Sequence, residues 1–136
     1  MAKQAAIREV KSMAMSCDPV GNLLLVKFSF GSGKDGAAFM PAHIVFWLLK
    51  NIPVNQDPNL QPPAAPLPQI TQRDWDEDST PRINTMQCKQ FQDAIRMTLQ
   101  FENGPDALLL LDRSNVELMR QFMENYRPNL MDLGVF

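Results

Sequence analysis

The chain has 136 residues, 45 % of them apolar and 21 % charged, and carries a net charge of −2. That is length for a single domain, 1–136, with a true core. The charge excludes any general pull toward phosphate or an anionic membrane. No apolar run reaches the length of a membrane span. Met1-Ala2-Lys3-Gln4 is not followed by the continuous apolar segment of a signal peptide, so a cytoplasmic location and no membrane partner are expected.

Met1–Glu9 carries little pattern and fits a short helix or an extended arm equally well. From Val10 to Cys17, Met13, Met15 and Cys17 alternate with Ser12, Ala14 and Ser16, the period of a half-buried strand. Asp18-Pro19-Val20-Gly21-Asn22 is turn chemistry. Leu23–Phe30 then points Leu24, Val26, Phe28 and Phe30 one way and Leu25, Lys27 and Ser29 the other. Gly31-Ser32-Gly33-Lys34-Asp35-Gly36 turns the chain into a short third strand, Ala37–Met40. Pro41 suits the first turn of a helix, and Pro53 ends that helix near Asn51 by disfavouring helical geometry at Ile52.

The segment from Pro53 to Pro81 differs in kind, holding seven of the eleven prolines. It reads as an extended linker, 53–83, joining two parts. Its Leu60, Leu67, Ile70 and Trp75 imply packing on the body. After it the earlier pattern returns. Met86 and Cys88 face inward, as do Ile95, Met97, Leu99 and Phe101, with Arg96, Thr98 and Gln100 outward. Asn103-Gly104 signals a hairpin, and Leu108–Leu111 is a third strand. In the helix that follows, Ser114 and Glu117 have capping-box spacing, with Asp112 a competing cap. Val116, Met119, Phe122, Met123 and Tyr126 make its apolar stripe, opposite Glu117, Arg120, Gln121 and Glu124. The tail, 128–136, is apolar enough to dock.

Sliding the sequence against itself by 71 positions aligns the two parts without a gap. Six of 38 pairs are identical: Met15/Met86, Cys17/Cys88, Phe30/Phe101, Gly33/Gly104, Asp35/Asp106 and Val45/Val116. Chance gives roughly two or three, so the shared apolar pattern carries more weight. The expected class is α+β, an internally duplicated strand–strand–strand–helix unit (10–52 and 84–127). Its antiparallel sheet, or two small sheets, should carry both helices on one face.

Chemical signatures are sparse. Gly31-Ser32-Gly33-Lys34 lacks the spacing of a phosphate loop and reads as a hairpin turn. Asp74, Asp76 and Asp78 lack the glycine and glutamate of a calcium loop. His43 is the only histidine and has no ligand cluster around it. The cysteines are too few for a disulfide framework and read as buried thiols. No catalytic residue, cofactor or metal site is expected. Pro63-Ala64-Ala65-Pro66 reads as ordinary proline-rich linker.

The anomaly is the first helix. Where the second offers Asn115, Glu117 and Arg120, the first has Ile44, Phe46 and Leu49, so it is apolar nearly all round and needs cover on both sides. The leading reading is therefore a non-enzymatic interaction or scaffold module. It would self-associate, or bind a protein partner, through Ile44, Phe46 and Leu49 or through its sheet. The alternative is a single-strand nucleic-acid binder using Lys27, Lys89 and Arg96 on an open sheet face, which by this reading has no aromatic to stack on a base. An enzyme without a recognisable motif ranks third.

Overall fold

The computed structural model describes residues 7–31, 34–91 and 93–131. Part of the Gly31–Gly36 turn and the last residues of the tail lie outside them. The elements are β1 (Ile7–Glu9), β2 (Ser12–Asp18), β3 (Leu23–Ser29), β4 (Asp35–Pro41), α1 (Ala42–Asn51), β5 (Ile83–Phe91), β6 (Ala94–Phe101), β7 (Ala107–Asp112) and α2 (Arg113–Tyr126). A 3-10 turn, Gln72–Trp75, interrupts the linker, and another, Arg127–Asn129, follows α2. The fold is mixed α and β with two sheets. One is four-stranded in the order β1-β7-β6-β5 and the other three-stranded in the order β2-β3-β4. The first is not purely antiparallel, because Ile7–Glu9 is extended and pairs in parallel with Leu108–Leu110.

The sheets meet at both margins. At one, Val10 N–H donates to the Leu110 carbonyl (2.9 Å) and Lys11 N–H to the Ser29 carbonyl (2.8 Å), so a single extended stretch leaves one sheet and joins the other. At the other, Phe39 N–H donates to the Pro81 carbonyl (2.9 Å) beside a parallel bridge from Phe39 to Arg82. Glu102 N–H then donates to the Arg82 carbonyl (3.0 Å). Inward residues of both sheets and both helices share one core, including Met13, Leu24, Val26, Leu48, Met97, Leu111 and Met119. α2 packs on β2, β6, β7 and α1, while α1 packs on β4 and α2.

Local chemistry sets the element ends. Pro41 lies outside α1 as its extended N-cap residue, not within the first turn. Asp112, not Ser114, caps α2, accepting from Asn115 N–H at 2.9 Å. Asn22 takes a positive φ of 55°, which asparagine tolerates better than most residues. Its side-chain amide donates to the Met131 carbonyl (2.9 Å) and its oxygen accepts Met131 N–H (2.7 Å). Leu130 beside it is buried in the core.

Asn115 is 1 % exposed, so it is not on the outer surface of α2 as its polarity suggests. Its amide donates to the carbonyls of Val10 (3.2 Å) and Lys11 (3.3 Å), where the chain passes between sheets and the ladders break. Removing both N–H donors strands the Val10 carbonyl in a buried place and the Lys11 carbonyl in a partly buried one. Asn115→Leu is expected to cost about 1–3 kcal/mol. This would appear as a lower urea midpoint with unchanged slope. A variant as stable as the parent would show that the carbonyls find other donors.

Candidate functional site

The outward side of the sheet was expected to be open at Lys27 and Ser29, and on the three-stranded sheet the linker covers that side. Leu23, Leu25 and Phe39 form a second apolar cluster against Ala37, Ile70 and Trp75, with the Phe39 and Trp75 ring centres 5.9 Å apart. Polar contacts register the segment along the sheet. Ser12 Oγ donates to the Pro66 carbonyl (2.7 Å), and Lys27 Nζ to the Gln69 carbonyl (2.9 Å) and to Asp74 Oδ2 (3.1 Å).

The same Asp74 oxygen accepts Thr71 N–H (2.7 Å), so one carboxylate both shapes the 3-10 turn and fastens it to the sheet. Burial opposes its ionisation. The Thr71 N–H and the Lys27 hydrogen bond and charge outweigh that and hold its pKa below the ordinary carboxylate value. Lys27 and Asp74 side chains are each 15 % exposed. Lys27 is thus an anchor for the chain's own linker and lies on a different sheet from Lys89 and Arg96.

The linker's first half lies against α2. Ser114 Oγ donates to the Gln61 carbonyl (2.7 Å), and Arg113 stands 3.7 Å from Asp57. Glu117 and Arg120 pair with each other and are largely covered. The Arg120 hydrogen bond dominates in lowering the Glu117 pKa against its burial, and Asn55 N–H assists. The expected contrast between the helices therefore disappears: this face of α2 is no more exposed than its counterpart on α1. On α1, Ile44 is 5 % exposed and belongs to the core, and Phe46 and Leu49 are half-buried against that core. Trp47, at 38 %, and His43 form the outer side.

Among the described residues no segment covers the outer face of the four-stranded sheet. Register places Lys89 opposite Arg96 and Arg96 opposite Leu110. Thr98 lies opposite Leu108, which pairs with Ile7. Ile7, Phe91, Leu108 and Leu110 belong to neither apolar cluster. Phe91 is 42 % exposed, and Lys89 Nζ (5.6 Å) and the Arg96 guanidinium (5.4 Å) both stand near its ring centre. An aromatic thus does face this way, beside two of the three cations read from the sequence. The signal was available, since Phe91 lies two residues from Lys89 and so on the same side of the strand.

Elsewhere the chemistry is structural. Cys17 and Cys88 are free and half-buried; burial pushes the Cys88 thiol up to about 11, and burial with the Asp18 charge raises Cys17. Among the described residues no group of three or more His, Cys, Asp or Glu is placed to hold a metal ion. Asp76 Oδ1 accepts Asp78 N–H (2.9 Å), forming a turn. Among the described residues no helix is long and apolar enough to cross a membrane. An apolar recess of ≈ 520 Å³ between the β3–β4 and β6–β7 hairpins is lined by Phe28, Phe30, Leu99 and Phe101, with Arg8 5.5 Å from the Phe30 ring centre.

The Asp74 shift fixes how the linker answers pH. A depressed folded-state pKa gives stability that is present above the ordinary 3.8 and lost as pH falls through the lower folded value. In a Trp47→Phe background, Trp75 emission should stay that of a docked ring at neutral pH and shift red only in that acid range. Lys27→Met should move the shift to higher pH; an unchanged profile would mean that the ion pair does not hold the linker. Comparison with family models, curated proteins and solved structures finds no match to this chain, so its functional reading rests on this geometry.

Proposed function

We propose that this chain is a non-enzymatic interaction module of the cytoplasm that binds a protein partner on the outer face of its four-stranded sheet. It is built from two copies, 10–52 and 84–127, of one strand–strand–strand–helix unit. The observation carrying the reading is the difference between the two outer faces. One is closed by the chain's own linker, and the other leaves Ile7, Phe91, Leu108 and Leu110 beside Lys89 and Arg96. Ile7 and Phe91 are exposed and Leu108 and Leu110 half-buried between them; apolar side chains left together at a surface and rimmed by charge mark contact surfaces.

Duplication is supported by the offset of 71. It carries Leu23 to Ala94 at the start of β3 and β6, Pro41 to Asp112 at the end of β4 and β7, and Ala42 to Arg113 at the helix starts. It also carries Phe39 to Leu110 and Val10 to Pro81, the residues bonded at the two sheet margins. Two free thiols suit a reducing compartment. The edge of β5 carries Lys89 and a register shift between Ile83 and Thr85. Both features discourage strand addition and favour use of the face over the edge.

Two other readings have an observation each. A nucleic-acid strand is favoured by Phe91 between Lys89 and Arg96, and self-association through Phe46 and Leu49 by exposed Trp47 between them in sequence. A photoreactive residue placed at 110 or at 47 in cells separates the three. The proposal expects a discrete, nuclease-resistant protein adduct from position 110. A nuclease-sensitive adduct there would favour the strand, and an adduct of two chains from position 47 alone would favour the helix.

A further inference from the structure

We infer that the partner offers an extended acidic segment carrying an aromatic or aliphatic anchor, laid across the open sheet face as residues 66–75 are laid across the other. This rests on the reading of that face as the contact surface. The chain's own linker supplies the recipe. The segment 66–75, which ends in the 3-10 turn Gln72–Trp75, sets Ile70 and Trp75 on Leu23, Leu25 and Phe39, and gives the Asp74 carboxylate and the Gln69 carbonyl to one lysine. Rigid apolar anchors with one fixed charge contact define register without demanding a deep pocket.

The open face has both components in separate places. Its cations stand on β5 and β6, and among the described residues neither Lys89 nor Arg96 has a carboxylate partner; both instead lie against Phe91. Its aliphatic side chains, Leu108, Leu110 and Ile7, stand on β7 and β1. At the far margin Glu9, opposite Leu110, is ion-paired with Lys11 (3.1 Å), so that margin offers an anion no free positive charge. A bound segment is therefore oriented, with its carboxylates over Lys89 and Arg96 and its anchor over the leucines. Strands lie about 4.8 Å apart, so β5 to β1 is about 14 Å, the reach of about four extended residues. A carboxylate can displace Phe91 as the cations' partner, because a charge-assisted hydrogen bond outweighs an exposed cation–π contact.

The test uses the full chain and a fluorescent peptide of its own sequence from Gln69 to Asp78, which has the required anchor and acids. Binding should be saturable and weaken at least tenfold with Lys89→Glu plus Arg96→Glu, with Leu108→Asp plus Leu110→Asp, and when the peptide's four acids are replaced by lysine. Circular dichroism should show all variants folded. No binding at millimolar peptide would overturn the proposal, as would binding unchanged by the face variants, which would place the peptide on the linker's own face. Binding of a poly(dT) oligonucleotide in place of the peptide, lost with the same charge reversals, would overturn it in favour of a strand. If the peptide fails while position 110 still cross-links to protein, only the partner's chemistry falls; if both fail, so does the face.

Discussion

Two carbonyls, those of Val10 and Lys11, mark the point on which the fold depends. There one extended stretch quits the four-stranded sheet and joins the three-stranded one; its N–H groups still bond across to Leu110 and Ser29, and it is the two carbonyls that need donors. The Asn115 amide supplies the missing donors from a helix that starts immediately after β7. That helix is itself capped by Asp112, which also accepts from the Asn115 side chain at 3.0 Å. Capping, helix placement and sheet connection are therefore one polar arrangement in an otherwise apolar core.

The linker plays an analogous part outside that core. Proline keeps it extended and lowers the entropy lost on docking. Apolar contact with Leu25 and Phe39 supplies the drive, and Lys27 with Asp74 sets the register. Because one oxygen of Asp74 serves both Thr71 and Lys27, the turn and its attachment should form together. A solvent-facing strand surface thereby becomes an inner layer.

Much of the architecture was legible. Alternation at Met13–Cys17 and Leu24–Phe28 told strand from helix, and three strands followed by a helix were legible on each side of the linker. What escaped was which surface meets which. Leu25 alternates like an outward residue and is fully buried, because its cover comes from a segment whose path no periodicity records. Asn115, Glu117 and Arg120 looked solvent-facing for the same reason: polarity marks exposure only where no neighbour offers a matching partner. Lys27, Lys89 and Arg96 share an outward parity, but parity does not say that two sheets exist. Phe91 was missed at the end of its strand, where the alternation gives way to the turn.

The parallel pairing of Ile7–Glu9 with Leu108–Leu110 joins residues 101 positions apart in sequence (108 − 7). The antiparallel hairpins β2–β3 and β6–β7 form from near neighbours and can close as soon as their strands exist; this contact has to wait until β7 has been made. During synthesis the first strand is therefore made first and paired last. Until then its backbone groups, and the sheet margin they will occupy, remain open to other chains. The order of assembly, as much as the finished surface, determines when this protein is most vulnerable to aggregation.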